Sequence, residues 1–156
     1  MPLFPHPNDP LPAPSPVRCA ADALRVFRLA LTLPPQPETL AFLLDDQGVG
    51  GVITLVSGTT DPDAVLAVTE CLARAAREVP RAVALVLATV RPGGRVEPGD
   101  VDRWLEASDL AAQCDIVLLE WFVIGSLGVS CPRDLLGEPQ RWGQPEAQVA
   151  RRRSAG

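Results

Sequence analysis

There is no lysine and no tyrosine in these 156 residues, and there is only one histidine and one methionine. With lysine absent, all fourteen basic residues are arginine; nineteen acids outnumber them, for a formal charge of −5. Phosphate backbones are held by clustered Lys and Arg, so this balance argues against a broad nucleic-acid-binding face. The one histidine, His6, stands among prolines, where an exposed bystander is expected. Ser57, Ser108, Ser126 and Ser130 therefore have no histidine in the folded region to activate them, which excludes a Ser-His-Asp triad. The four cysteines, Cys19, Cys71, Cys114 and Cys131, form no CxxC pair, so neither a zinc knuckle nor a redox motif is expected. No apolar run approaches the ~20 residues that cross a bilayer. The N-terminus lacks the charged-then-apolar signature of a secretory leader, and a reduced, cytoplasmic protein with no membrane contact is expected. No GK[ST] follows the glycine-rich stretches GVGG or PGG, which makes both weak phosphate-loop signals. The missing lysine and tyrosine, with abundant Ala, Pro, Gly and Val, read as codon bias in a GC-rich genome and carry no chemistry.

What is present suffices for one domain with a real core. Hydrophobic residues make up 47% of the chain and charged residues 21%. Ten of the seventeen prolines fall within the first 37 residues. Each proline lacks an N–H and pushes its predecessor toward extended backbone, so residues 1–17 are expected to be a disordered arm. A helix is predicted over Arg18–Leu31, with Ala21, Leu24, Phe27 and Leu31 on one side. Strands are predicted at Glu38–Asp46 and Val52–Val56, joined by a turn at Gly48–Gly51. Asp61 as N-cap and Pro62 in the first turn open a second helix bearing Val65, Val68, Leu72, Ala76 and Val79. Ala82–Val90 is a continuous apolar run that suits a strand buried on both faces. A further helix carries Val101, Trp104, Leu105, Ser108 and Ala112, and strands follow at Asp115–Ile124 and Leu127–Cys131. The order β-β-α-β-α-β-β behind a leading helix indicates an α/β fold, a single mixed β-sheet domain flanked by helices. The domain is placed at 18–135, with a flexible tail over 136–156.

The stretch Val86–Trp104, VLATVRPGGRVEPGDVDRW, has the layout of an active site: an apolar strand, a Pro-Gly-Gly loop and a helix start. It resembles the RadC-type branch of the JAB/MPN (JAMM) metalloprotease superfamily, whose zinc signature is H-x-H-x7-S-x2-D. In that signature two His and one Asp hold the metal, Ser steadies the oxyanion, and a Glu on an earlier strand acts through the metal-bound water. Here Thr89 stands at the first His position, Arg91 at the second, Gly99 at the Ser and Asp102 at the Asp, the one ligand retained. DIVLLEWFVIG resembles a later family strand ending in Asp-His-x-x-x-Gly, with Glu120 and Trp121 in those two places as pocket-wall candidates. LLDDQG and the later SGT resemble the family's Leu-Asp-Asn-Gln strand end and Gly-Thr, and Glu38 lies within about a residue of the catalytic Glu. The resemblance spans Glu38–Cys131 and implies a JAB/MPN-like (cytidine-deaminase-like) architecture.

A catalytic zinc needs three protein ligands and an open fourth position. Thr is a poor ligand, and a guanidinium stays protonated with no lone pair to offer. The resemblance therefore implies a pseudoenzyme, with no metal and no cofactor. Two arrangements follow for the vacated site. Arg91 fills it and pairs with Asp102, and with Glu38; or the mouth is open and these groups are hydrated. The implied role is protein–protein interaction, with a homologous JAB-type subunit or by self-association. One alternative is a divergent hydrolase using Asp102, Glu38 and Glu120 with an atypical metal site or none. Another is a DNA-associated accessory protein drawing on Arg151–Arg153.

The remaining candidates have plainer readings. Asp45 and Asp46 suit a solvated turn. Asp100 and Asp102 suit the positive end of a helix dipole. Cys131 suits a small buried hydrophobe. Trp104 is expected in the core or pocket wall, and Trp142 in the tail as a possible docking anchor.

Overall fold

A computed structural model describes residues 15–142. Five strands form one mixed sheet in the order β2-β1-β3-β4-β5. They are β1 (Glu38–Asp45), β2 (Gly50–Ser57), β3 (Ala82–Arg91), β4 (Val117–Gly125) and β5 (Gly128–Ser130). β1 runs antiparallel to both β2 and β3, β3 is parallel to β4, and β5 turns back antiparallel on β4. The helices are α1 (Ala20–Ala30), α2 (Ala64–Ala75), α3 (Asp100–Gln113) and the single turn α4 (Pro132–Leu135). The predicted element order and the mixed sheet flanked by helices are what the structure has, with α4 added.

Alternation along the strands sorts the core into two layers. Leu40, Phe42 and Leu44 of β1 and Ala84, Val86, Ala88 and Val90 of β3 face α1. Phe27 of α1 meets Phe42 at 4.8 Å and Phe122 at 6.2 Å between ring centroids. On the other face Ala41, Leu85, Leu87, Trp121 and Val123 pack under Val65 and Val68 of α2 and Trp104, Ala107 and Ala111 of α3. β3 is buried on both faces, as its unbroken apolar run requires.

Helix boundaries and phases differ from the sequence expectation in traceable ways. Asp61 does not cap α2; its carboxylate accepts the N–H of Asp63 in a preceding turn, and Asp63 takes the cap position. α2 tightens into a 3-10 turn at Ala76–Glu78, which swings Val79 outward. In α1 Phe27 is buried as expected, joined by Ala23 while Ala21 is exposed; in α3 Trp104 and Ser108 are buried as expected, joined by Ala107 and Ala111 while Leu105 is exposed.

The expected domain limits also shift. Val17 is buried and its N–H bonds Gly48 O at 2.7 Å, so the fold begins inside the expected arm. Residues 136–142 belong to the fold as well. Arg141 lies 4.3 Å above the Trp104 ring and donates to Leu118 O and Ser108 Oγ, while the Trp104 indole N–H donates to Glu138. Trp142 packs against the α1-side core. His6 and Arg151–Arg153 lie outside the described residues. No helix among the described residues is long and apolar enough to cross a membrane.

Candidate functional site

The end of β3, the loop Pro92–Pro98 and the start of α3 meet beside the N-terminal end of α2. Gly125 closes β4 against this loop so tightly that a Cβ there would lie 2.0 Å from Gly94 O, which makes the Pro-Gly-Gly and the terminal Gly a matched pair. Gly99 is the N-cap of α3 at φ 91°, a left-handed conformation open chiefly to glycine. A backbone demand, and not only a missing hydroxyl, thus explains the residue at that position.

Arg91 points to the α2/α3 face and forks onto Asp100, Nη1 to Oδ2 at 2.5 Å and Nη2 to Oδ1 at 3.1 Å. The Asp100 carboxylate also accepts Glu97 N–H at 2.7 Å and Arg103 Nη1 at 3.0 Å. Arg103 reaches on to Asp63 at the head of α2 at 2.9 Å. The chain Arg91–Asp100–Arg103–Asp63 therefore laces together the end of β3, the start of α3 and the start of α2. Asp100 is 0% exposed. Burial works to raise its pKa, and the hydrogen bonds from Arg91, Glu97 N–H and Arg103, with the Arg91 charge, overcome this and hold it below the usual carboxylate range.

This corrects two expectations. Arg91 pairs with Asp100, not with Asp102, which is exposed. Asp100 is more than a dipole-favoured surface acid: a residue at the first helical position points back toward the strand, and the third position points out. Glu38 is displaced too. It pairs with Val90 and shares the α1 face with Leu40 and Phe42, where its carboxylate accepts Thr32 N–H at 3.0 Å and Thr32 Oγ1 at 2.7 Å. The residue opposite Thr89 is Thr39, so the site presents a threonine where an acid was expected.

Thr89 accepts the Trp121 indole N–H at 2.9 Å, and Thr39 bonds Thr59 at 2.9 Å. Thr39, Thr59, Thr60, Thr89, Arg91 and Asp61 line an open cavity of ≈ 270 Å³. Trp121 stands behind Thr89, fully buried, with the Arg91 guanidinium 5.9 Å from its ring centroid; it backs the cavity wall and does not line it. Glu120 is withdrawn further. A bulge opposite Leu85 and Val86 turns it to Arg133 of α4, whose Nε donates to Oε2 at 2.8 Å, and its Oε1 accepts Trp121 N–H. Both partners are buried, Glu120 1% and Arg133 4% exposed. Burial raises the Glu120 pKa despite the Arg133 charge. Burial together with the negative charges of Glu120 and Asp134 pushes the Cys131 thiol up to about 12, which keeps it protonated at neutral pH.

Glu38, Asp102 and Glu120 do not converge, and among the described residues no three His, Cys, Asp or Glu side chains form a group that could hold a metal. The signature positions do not fit a zinc ion: one hydroxyl is engaged by an indole, one side chain is a guanidinium, one is absent and the carboxylate faces solvent. Arg133, Arg103 and Thr39 escaped the sequence reading. The Asp100–Arg103 spacing of three was a readable ion-pair signal, and the apolar run Leu40, Phe42, Leu44 already put Glu38 on the core face. No protein-family model matches the sequence, and no curated protein matches it.

Proposed function

We propose that this chain is a non-catalytic domain of the JAB/RadC-like kind, in which an arginine–carboxylate lock stands where the superfamily binds zinc, and that it works by binding protein. The observation that carries this reading is the bidentate fork of Arg91 onto Asp100. It places a fixed positive charge, 13% exposed on its side chain, at the second ligand position, where a divalent cation would be repelled. The strand–loop–helix path of Val86–Trp104 and the mixed sheet of five strands support the same reading. A domain that keeps such a scaffold without the ligands retains its surfaces for partners, either a homologous JAB-type subunit or another copy of itself. The divergent-hydrolase reading is weaker because its three carboxylates lie on separate parts of the fold.

Purified protein incubated with zinc and then desalted should hold far less than one zinc per chain by elemental analysis, and should release no product from peptide or isopeptide substrates. One tightly held metal per chain, with hydrolysis that rises as metal is added, would overturn the reading.

A further inference from the structure

Of the two sheet edges, β5 is only three residues long, whereas β2 runs for eight residues with one side unpaired. Solvent-facing edges of that length are usually blunted by charge, by proline or by a bulge that twists them away. β2 reads GGVITLVS and carries no charge and no proline. The one irregularity sets Gly51 and Val52 opposite Leu43, between the Phe42 and Leu44 pairings, and leaves Glu38 through Phe42 in continuous register with Ser57 through Ile53. Apolar side chains stand exposed on both of its faces: Val52 is 79% and Val56 39% exposed on one, and Leu55 37% on the other. Val52, Thr54 and Val56 project on the face where α2 covers β1 and β3, so the helix layer stops short of this strand.

The residues flanking the fold are poor candidates to cover the edge. Residues 1–16 hold a proline at least every third position, and so cannot supply a run of ladder donors. Residues 143–156 carry Arg151, Arg152 and Arg153, and β2 has no carboxylate to receive them. An uncharged strand does suit its own copy. Antiparallel pairing about a two-fold axis near Thr54 sets Val52 of each copy opposite Val56 of the other, with no like charges brought together.

From this we infer that β2 is a self-association edge, through which two copies of the chain join their sheets into one continuous ten-stranded sheet. The inference stands on the strand itself and does not depend on the family reading or on the state of the zinc positions. Each copy contributes its unpaired N–H and C=O groups to the new ladder, and the valines on the uncovered face form an apolar strip between the two α2 helices.

Light scattering on the full chain tests it. Wild-type protein should show about twice the 16.6 kDa chain mass. The variant V52K/V56K places Lys opposite Lys twice across the axis, and its dimer dissociation constant should rise by roughly tenfold or more. Mixing it with V52E/V56E in equal amounts should restore the doubled mass, and circular dichroism should show both variants folded. Should the variants not fold, hydrogen exchange of the wild type decides the matter: amides of residues 50–57 should slow as concentration rises across the association range. A wild type that stays at the chain mass, a dimer indifferent to the lysines, or exchange at β2 independent of concentration would each overturn the inference.

Discussion

Asp100→Asn is expected to lower the unfolding free energy by about 3 kcal/mol at pH 7, which for a domain of this size corresponds to a melting temperature lower by about 10 °C. The carboxylate accepts two bonds from Arg91, one from Arg103 and one from Glu97 N–H, with no exposure to water. An amide keeps the shape but turns one acceptor into a donor facing a guanidinium, and it leaves two arginines facing a neutral group. The pH dependence gives the effect a signature. The folded pKa of Asp100 is depressed, so its contribution is present above the unfolded value of about 3.9 and is lost as pH falls through the lower folded value. The gap between wild type and variant should therefore be constant through the neutral range and close below pH of about 4. Chemical denaturation across that range measures it, and a gap that is small at pH 7 or constant down to acid would contradict the assignment.

Arg133→Met should cost about 3–5 kcal/mol at pH 7, and this deficit too should close in acid, but at a higher pH than that of Asp100→Asn. Arg133 is the charge that faces buried Glu120, and it also ties α4 to the backbone of Glu138. Burial already raises the Glu120 pKa with Arg133 in place, and without it nothing of opposite charge opposes that rise. A carboxyl whose folded pKa lies above the unfolded value of about 4.3 contributes stability that is complete below that value and is lost as pH rises through the folded one. The variant's deficit should therefore shrink as pH falls toward about 4, as Glu120 takes up a proton. Met fills most of the volume of the Arg stem, so the loss at neutral pH reports charge more than packing. A deficit that persists unchanged in acid would assign the effect to packing instead.

The two arginine–carboxylate sites show where sequence reading succeeds and where it stops. Strands were legible because β1, β3 and β4 are apolar runs with glycine or proline at their ends, and burial on both faces demands such runs. The apolar run Ala82–Val90, the Pro-Gly-Gly after it and the helical spacing from Val101 located the strand–loop–helix segment correctly. The partner of Arg91 was not legible, because both Asp100 and Asp102 lie in the first turn of α3 and only the helix phase separates the one aimed at β3 from the one in solvent. Glu38 and Thr39 differ in the same way, by one step of strand parity. A one-residue shift exchanges the α1 face for the α2 face, and the pairing Thr39 with Thr89 settles the register through contacts far apart in sequence. The pairing of Glu120 with Arg133 depends on a bulge in β4 and on a one-turn helix, neither of which carries a periodic signal. Residues 136–142 look like tail by composition, yet Trp104 gives Glu138 and Arg141 a surface to fold upon.

The most direct test of the lock between Arg91 and Asp100 is a double-mutant cycle of unfolding free energies with Arg91→Met, Asp100→Asn and the pair. The two side chains meet in a bidentate, buried geometry, so a coupling of about 2 kcal/mol is expected, and the double variant should be less destabilised than the sum of the single ones. Additivity within about 0.5 kcal/mol would mean that the two groups act independently, and that Arg91 does not hold the position given to it here.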